Sequence, residues 1–157
     1  VGSGEGADAR WLAARGWTVV AIDISGVAIE RARSLDTTGA ITWAQVDLYA
    51  DDVPAPGTFD LVSAQYFPIA AGDETTVARL LGAVAPGGSL VMSAHEPTGI
   101  RAHGRDPDAY IFPGDVAARI ADDPDWEIVT DETRERGIAA GGGHHTHDVI
   151  LRARRIR

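Results

Sequence analysis

Short runs of apolar, often β-branched residues alternate along the chain with segments in which apolar residues recur at helical spacing. The runs predict strands at residues 18–24, 41–46, 59–64, 89–94, 126–136 and 146–154. The segments between them predict crossover helices joining parallel strands. A glycine run at residues 141–143 separates the last two strands and predicts an antiparallel pair. The pattern indicates an α/β fold.

Capping residues and helix breakers mark the predicted helices. The first helix ends at Gly16, and Ser25 caps the second. Thr75 or Thr76 caps the third and most clearly amphipathic helix, which residues 86–88 (Pro-Gly-Gly) break before the next strand. A weaker helix is predicted at residues 115–121.

The length of the chain predicts one domain. With 157 residues, 45% of them apolar, it can bury a sizeable core, and no internal repeat or low-complexity tract divides it. We therefore predict a single domain over residues 1–157. Because Val1 stands inside what should be the first strand, we expect the beginning of that strand to lie upstream.

Composition narrows the possible partners. The chain has 14 basic and 23 acidic residues, a formal net charge of -9, and such a surface repels phosphate backbones, so we expect no nucleic-acid partner. No apolar run approaches the roughly 20 residues that span a bilayer, so we expect no membrane partner and predict a cytoplasmic location. The lack of cysteine excludes disulfides, thiolate metal sites and a cysteine nucleophile.

Three histidines near the C-terminus raise the question of a metal site. His144, His145 and His147 precede Asp148, and alternate residues of a strand share a face, so His145 and His147 can point together. Two histidines next to a glycine run do not fix a tetrahedral site. We therefore predict no metal.

The glycine-rich run at residues 2–6 (GSGEG) is the sharpest functional signal in the chain. It lies between the end of an apolar strand and the first helix. Glycine accepts positive φ without a Cβ clash, and the amides at a helix start favour negatively charged groups. The run therefore predicts a nucleotide-like ligand.

Two carboxylates end predicted strands near this turn. Asp23 lies at the end of the second strand, the one predicted at residues 18–24. A carboxylate there can accept two hydrogen bonds from a ribose diol. The alternative is that Asp23 only caps the turn at Ser25. Asp47 ends the third strand. It either accepts from an exocyclic adenine amine, with the backbone of Leu48 beside the ring, or is a solvated, turn-forming carboxylate.

Six short segments carry one motif each, in a fixed order. They are residues 2–6 (GSGEG), 11–16 (WLAARG), 21–25 (AIDIS), 46–48 (VDL), 59–62 (FDLV) and 85–90 (APGGSL). Together they resemble the class I S-adenosylmethionine-dependent methyltransferases over nearly the whole chain. The resemblance implies a Rossmann-like, doubly wound, mostly parallel seven-stranded sheet in a three-layer sandwich. Its strand order is 3-2-1-4-5-7-6, where strand 1 is the one that contains Val1 and strands 2 to 7 are the six strands listed above. The resemblance also implies methyl transfer from S-adenosylmethionine.

The resemblance also implies a set of cofactor-binding residues at the carboxyl ends of the strands. The glycines of the turn approach the methionine part of the cofactor, Asp23 binds the ribose, and Ile24 packs on the adenine. The complete implied set is Gly2, Ser3, Gly4, Gly6, Asp23, Ile24, Asp47, Leu48 and Gln65.

We expect the methyl acceptor to be a small molecule. An aromatic set suited to a pocket rim comprises Tyr66, Phe67, His95, Tyr110 and Phe112, and residues 95–113 predict a pocket-edge loop. Alignment supplies much of the catalysis, but an acceptor that must lose a proton benefits from a base. Among Tyr66, His95 and Glu96, His95 is the preferred catalytic candidate; the alternative is a structural or solvent-facing histidine.

Two other functions remain open at this point. Gly2, Gly4 and Ala7 also satisfy the G-x-G-x-x-A pattern of an NAD(P)-binding oxidoreductase, in which Asp23 again binds ribose. The sequence contains no Lys, which excludes the Tyr-x-x-x-Lys pair of one large group of such enzymes. A cofactor-binding domain without catalysis is the third interpretation. The oligomeric state is not readable.

Overall fold

The fold comes from a computed structural model, which describes residues 1–51, 53, 57–136 and 146–157. They form two compact units, Val1–Pro54 and Ala55–Arg157. Each unit is described by itself below. The prediction of a single domain stays a prediction.

The first unit alternates helices and strands, as the hydrophobic pattern predicts. Its elements are α1 (Ala7–Ala13), β1 (Val19–Asp23), α2 (Gly26–Leu35) and β2 (Ile41–Gln45). Strands β1 and β2 are parallel, with Val19 opposite Ile41 and Asp23 opposite Gln45. The carboxyl ends of both strands therefore meet at one edge of this sheet.

Small residues and one tryptophan fill the core of the first unit. Ala9, Ile29, Ala32 and Trp43 are buried there, and close helix–strand packing is possible because two of them are alanines. The predicted cap of α2 is confirmed, since the Ser25 hydroxyl accepts from the Ala28 N–H at 3.2 Å.

The second unit is built around a mixed sheet. Its strands are β3 (Phe59–Gln65), β4 (Ile69–Ala70), β5 (Val84–His95), β6 (Tyr110–Ile111), β7 (Trp126–Glu135) and β8 (His147–Arg155); its helices are α3 (Glu74–Gly82), α4 (Pro97–Ala102) and α5 (Pro113–Ile120), with a 3₁₀ helix at Pro107–Ala109. Helices α3 and α5 contact the sheet, and Leu90 and Leu151 are fully buried in its core.

The described strands correct the predicted sheet. They form a two-stranded sheet, β1-β2, a four-stranded sheet of order β3-β5-β8-β7, and the short pair β4-β6, not one seven-stranded sheet. Within the four-stranded sheet only β3 and β5 are parallel, because β8 lies antiparallel to β5 and to β7. The predicted antiparallel C-terminal pair is confirmed.

Val1 and Gly2, where the first strand was predicted to end, lie in no strand. The pairs β1–β2, β3–β5, β5–β8 and β8–β7 are neighbours in the predicted order, whereas the short β4–β6 pair was not predicted. The full seven-strand order and the three-layer sandwich stay predictions.

Two local predictions in the second unit were wrong. The cap of α3 is Asp73, whose carboxylate accepts from the Thr76 N–H at 3.0 Å, not a threonine. The Pro-Gly-Gly sequence lies inside β5, because α3 has already ended at Gly82. A Cβ on Gly88 would stand 2.9 Å from the Phe59 carbonyl oxygen, so only glycine fits against β3 there.

The stretch predicted as a pocket-edge loop, residues 95–113, is more ordered than expected. It contains α4, the 3₁₀ helix and β6, which pairs with β4 through Ile69 and Ile111. Proline at the helix starts explains this, because proline at the first helical turn pre-sets the required φ. Among the helices of the described residues, none is both long and apolar enough to cross a bilayer.

Candidate functional site

The glycine turn of the first unit depends on positive φ at alternate positions. Gly2, Gly4 and Gly6 have φ of 63°, 52° and 78°. The Ser3 N–H donates to the Ile22 carbonyl at 3.0 Å, and the Gly6 N–H donates to the Ser3 carbonyl at 2.8 Å. These bonds fasten the turn to the carboxyl end of β1 and leave α1 to begin directly behind it.

Gly4 and Gly6 have different steric roles in this turn. A Cβ on Gly6 would stand 2.2 Å from Cη2 of Trp43, so this glycine lets α1 pack against β2. A Cβ on Gly4 would meet nothing within 4 Å. Gly6 therefore serves the core, whereas the backbone at Gly4 faces open space that a ligand can use.

The Asp23 carboxylate joins the turn to the start of α2. Its Oδ2 accepts from the Gly4 N–H at 2.7 Å, and its Oδ1 accepts from the Ser25 N–H at 2.8 Å. A carboxylate has about four acceptor positions, so two remain for a diol. The turn-capping role is thus present, and it leaves the proposed ribose contact possible.

The remaining candidates of the first unit lie beside the carboxyl ends of β1 and β2. Ile24 is 58% exposed, which leaves an apolar surface next to Asp23. Asp47 is exposed and accepts from the Tyr49 N–H at 3.0 Å, so it forms a turn, while Leu48 is buried. The Ser3 hydroxyl is buried without a hydrogen-bond partner among the described residues, so Ser3 acts in the turn through its backbone.

These residues pass a simple test of fit to a nucleoside cofactor. The turn supplies unobstructed backbone, Asp23 supplies spare acceptor positions, and Ile24 supplies an exposed apolar face next to it. Sites for a ribose with an attached aromatic base commonly use these three features.

The second unit carries a side-chain cluster at the end of its sheet, which we call the Asp148 cluster: Tyr66, His95, Arg136 and Asp148. Asp148 accepts from the Tyr66 hydroxyl at 2.7 Å, contacts His95 Nδ1 at 3.2 Å, and pairs with Arg136 Nε at 3.3 Å. The Tyr66 and His95 ring centroids are 4.6 Å apart. The sequence-predicted candidates Tyr66 and His95 are therefore in contact.

Tyr66 is held in an unusual conformation. Its φ of 53° is the one positive value at a non-glycine residue in the described part of the chain, and its N–H donates to the Ser93 carbonyl at 2.8 Å. Burial, and next the hydrogen bond to Asp148, raise the pKa of Tyr66 above its ordinary value. Backbone strain of this kind persists where surrounding contacts over-determine it.

The Gln65 side chain forms hydrogen bonds with residues of β3 and β5. Its Nε2 donates to Ser63 Oγ at 3.1 Å and to the Val91 carbonyl at 3.2 Å, and its Oε1 accepts from Ser93 Oγ at 2.5 Å. These bonds hold the residue before Tyr66 in place. Its predicted contact with the cofactor stays a prediction.

Asp148 and Arg136 were missed as functional candidates by the sequence interpretation. Asp148 drew notice only as a neighbour of the histidines, yet it lies opposite His95 in the β5–β8 ladder. Only the register of that ladder reveals the pairing, and no local motif signals it.

Of the other histidines, His147 lies in β8, while His144 and His145 fall outside the described residues. Within the described ranges no group of three or more His, Asp or Glu side chains is arranged to hold a metal.

The chain belongs to the family described as "Methyltransferase domain", which matches residues 1–88. Uncharacterized methyltransferases of Mycobacterium bovis and Mycobacterium tuberculosis are 33% identical over 92 residues. That alignment covers 59% of this chain and 47% of each relative, so the chain spans about half the length of the curated relatives it matches.

Solved structures show the fold to be Rossmann-like. The N-methyltransferase NodS from Bradyrhizobium japonicum, solved with S-adenosyl-L-homocysteine, superposes with a TM-score of 0.73 at 21% identity, covering 98% of this chain and 74% of NodS. An S-adenosylmethionine-dependent methyltransferase from Mesorhizobium loti gives 0.70 at 19% identity, covering 98% and 88%. The whole described α/β chain therefore shares the methyltransferase fold.

Proposed function

We propose that this chain binds S-adenosylmethionine and that its protein transfers the methyl group to a small-molecule acceptor. The observation that carries the proposal is the glycine turn, in which Asp23 bridges Gly4 and Ser25 while the Cβ direction of Gly4 stays open. Membership of the methyltransferase family and the S-adenosyl-L-homocysteine bound to NodS agree with it.

In this proposal the first unit holds the cofactor. Gly2, Gly4 and Gly6 present backbone to the methionine part, Asp23 accepts from the ribose hydroxyls with its remaining lone pairs, and Ile24 covers the adenine. Asp47 and the Leu48 backbone meet the adenine edge, with Ser3 supporting the turn. When bound, S-adenosylmethionine supplies the sulfonium-activated methyl group that the reaction requires.

The acceptor side is assigned to the second unit. His95 is the proposed general base for an acceptor that loses a proton, and Gln65 supports the strand end from which Tyr66 projects. A net charge of -9 disfavours a polyanion as acceptor, because like charges repel within the ~8 Å Debye length of physiological salt. The net charge does not disfavour a small-molecule acceptor, and the aromatic set described above is suited to enclosing one.

Calorimetry with two ligands tests the proposed cofactor. S-adenosylhomocysteine is expected to bind, and NADH is not, because the proposal assigns the turn to a nucleoside joined to an amino acid. NADH binding without S-adenosylhomocysteine binding would favour the oxidoreductase interpretation.

A turnover assay tests the proposed acceptor class. Formation of S-adenosylhomocysteine from S-adenosylmethionine is followed over a small-molecule panel, with tRNA, DNA and protein extract in parallel. Turnover confined to the macromolecular fractions would contradict the proposed acceptor class.

A further inference from the structure

Asp148 makes the central contacts of the Asp148 cluster. Tyr66 follows β3, His95 ends β5, and Asp148 lies near the start of β8, so three strands bring their residues to one end of the sheet. The Asp148 side chain is only 13% exposed, yet it contacts a hydroxyl, an imidazole and a guanidinium. This arrangement shields the carboxylate from water and gives both of its oxygens hydrogen-bond or ion-pair partners.

The contacts of Asp148 determine which nitrogen of His95 carries the proton. An ionised carboxylate only accepts hydrogen bonds, and Asp148 forms an ion pair with the Arg136 guanidinium at 3.3 Å. Because Nδ1 of His95 faces Asp148 at 3.2 Å, Nδ1 must donate. The neutral ring then has its basic lone pair on Nε2.

Tyr66 limits the movement of the same imidazole. Its ring packs on His95 at a tilt of 39°, and its hydroxyl is bound to the carboxylate that holds Nδ1. The hydrogen bond from the Tyr66 N–H to the Ser93 carbonyl, 2.8 Å long, supports this position despite the strained φ. The imidazole is thus held by a hydrogen bond at one edge and by an aromatic ring at its face.

We propose that Asp148 is a positioning residue that holds His95 as its Nδ1–H tautomer and thereby presents Nε2 as the base for an acceptor with an ionisable N–H or O–H group. In that step the acceptor's N–H or O–H bond breaks, its electron pair stays on the acceptor, the proton joins Nε2, and the imidazolium later returns the proton to water. The base role rests on the proposed function, but the tautomer does not.

The ring nitrogens of His95 report the tautomer directly. Their ¹⁵N chemical shifts are measured as the pH is raised until they no longer change, so that the ring is neutral, and His95→Gln identifies the signals. We expect a protonated Nδ1 and an unprotonated Nε2 in the native chain. Asp148→Asn should change this preference, because an amide offers an N–H as well as a carbonyl oxygen. The matched control, Asp131→Asn on neighbouring β7, should leave it unchanged.

The possible results separate this inference from the proposed function. A His95 ring protonated on Nε2 in the native chain, or an identical tautomer in Asp148→Asn, would overturn the positioning role. Affinity for S-adenosylhomocysteine should be the same in Asp148→Asn and the native chain, whereas turnover over the small-molecule panel should fall at least tenfold. Unchanged turnover in Asp148→Asn would overturn the base role of His95. Failure of the native chain to bind S-adenosylhomocysteine would count against the proposed function alone.

Discussion

The glycine turn of the first unit and the Asp148 cluster of the second unit are built in opposite ways. The turn is made mainly of backbone from consecutive residues, and a single carboxylate, Asp23, fastens it from 19 positions away. The Asp148 cluster is made of side chains, and its hydrogen bonds join residues 82 and 53 positions apart. A contiguous backbone site leaves a pattern in the sequence, whereas a site assembled across strands does not.

This difference predicts where small substitutions act. In the turn, adding one methyl group alters backbone geometry or packing. In the Asp148 cluster, the sensitive property is the protonation and orientation of side chains. The effects should therefore appear in stability and cofactor affinity for the first unit and in proton-linked measurements for the second.

Gly6→Ala should have the largest effect. The new methyl group would stand 2.2 Å from Trp43, and φ is 78°, so overpacking and backbone strain combine to cost roughly 2–5 kcal/mol of unfolding free energy. Urea denaturation measures the loss. Gly16→Ala is the matched control, because its φ is 88° but its Cβ would meet nothing within 4 Å, so only the strain of about 1–2 kcal/mol applies. Equal losses in the two variants would remove the packing role of Gly6.

Asp23→Ala should have an intermediate effect, on binding. Loss of charge-assisted hydrogen bonds is expected to weaken S-adenosylhomocysteine by about 1.5–3 kcal/mol, roughly 10- to 150-fold, in a chain that remains folded. Asp36→Asn is the control in the same unit, because Asp36 also accepts from a backbone N–H, that of Thr38, but lies in no predicted binding set. Calorimetry that found native affinity in Asp23→Ala would exclude the ribose contact.

The smallest effect concerns Tyr66 at high pH. Its pKa is raised in the folded state, so the unfolded chain loses this proton first, at about pH 10. The contribution of Tyr66 to the unfolding free energy is therefore fully present below about pH 10 and is lost as the pH rises through the folded-state pKa. Unfolding free energies measured between pH 9 and 11 should fall less in Tyr66→Phe than in the native chain. Tyr110→Phe, which leaves the Asp148 cluster intact, should follow the native curve; a native-like curve in Tyr66→Phe would argue against the raised pKa.

Local features of the chain were predictable because neighbouring residues determine them. The glycine turn, the Ser25 cap and the parallel β1–β2 pair follow from glycine conformational freedom, side-chain capping and hydrophobic period. The sequence also pointed to the methyltransferase family through six motifs whose order and spacing are linear properties. The predicted Thr75 or Thr76 cap failed because Asp73, two to three residues earlier, provides the acceptor.

Tertiary structure alone decided which distant residues meet. The role of Gly6 depends on where α1 crosses Trp43, and the contact between His95 and Asp148 depends on the register of β8 against β5. A shift of two residues in that ladder would keep the same faces but separate Asp148 from His95, and the hydrophobic period excludes only odd shifts, which turn every side chain to the other face. By itself the sequence determined the local conformations and the family. The assembly of Tyr66, His95, Arg136 and Asp148 required the packed sheet, because hydrogen bonds between strands, not chain neighbours, bring those side chains together.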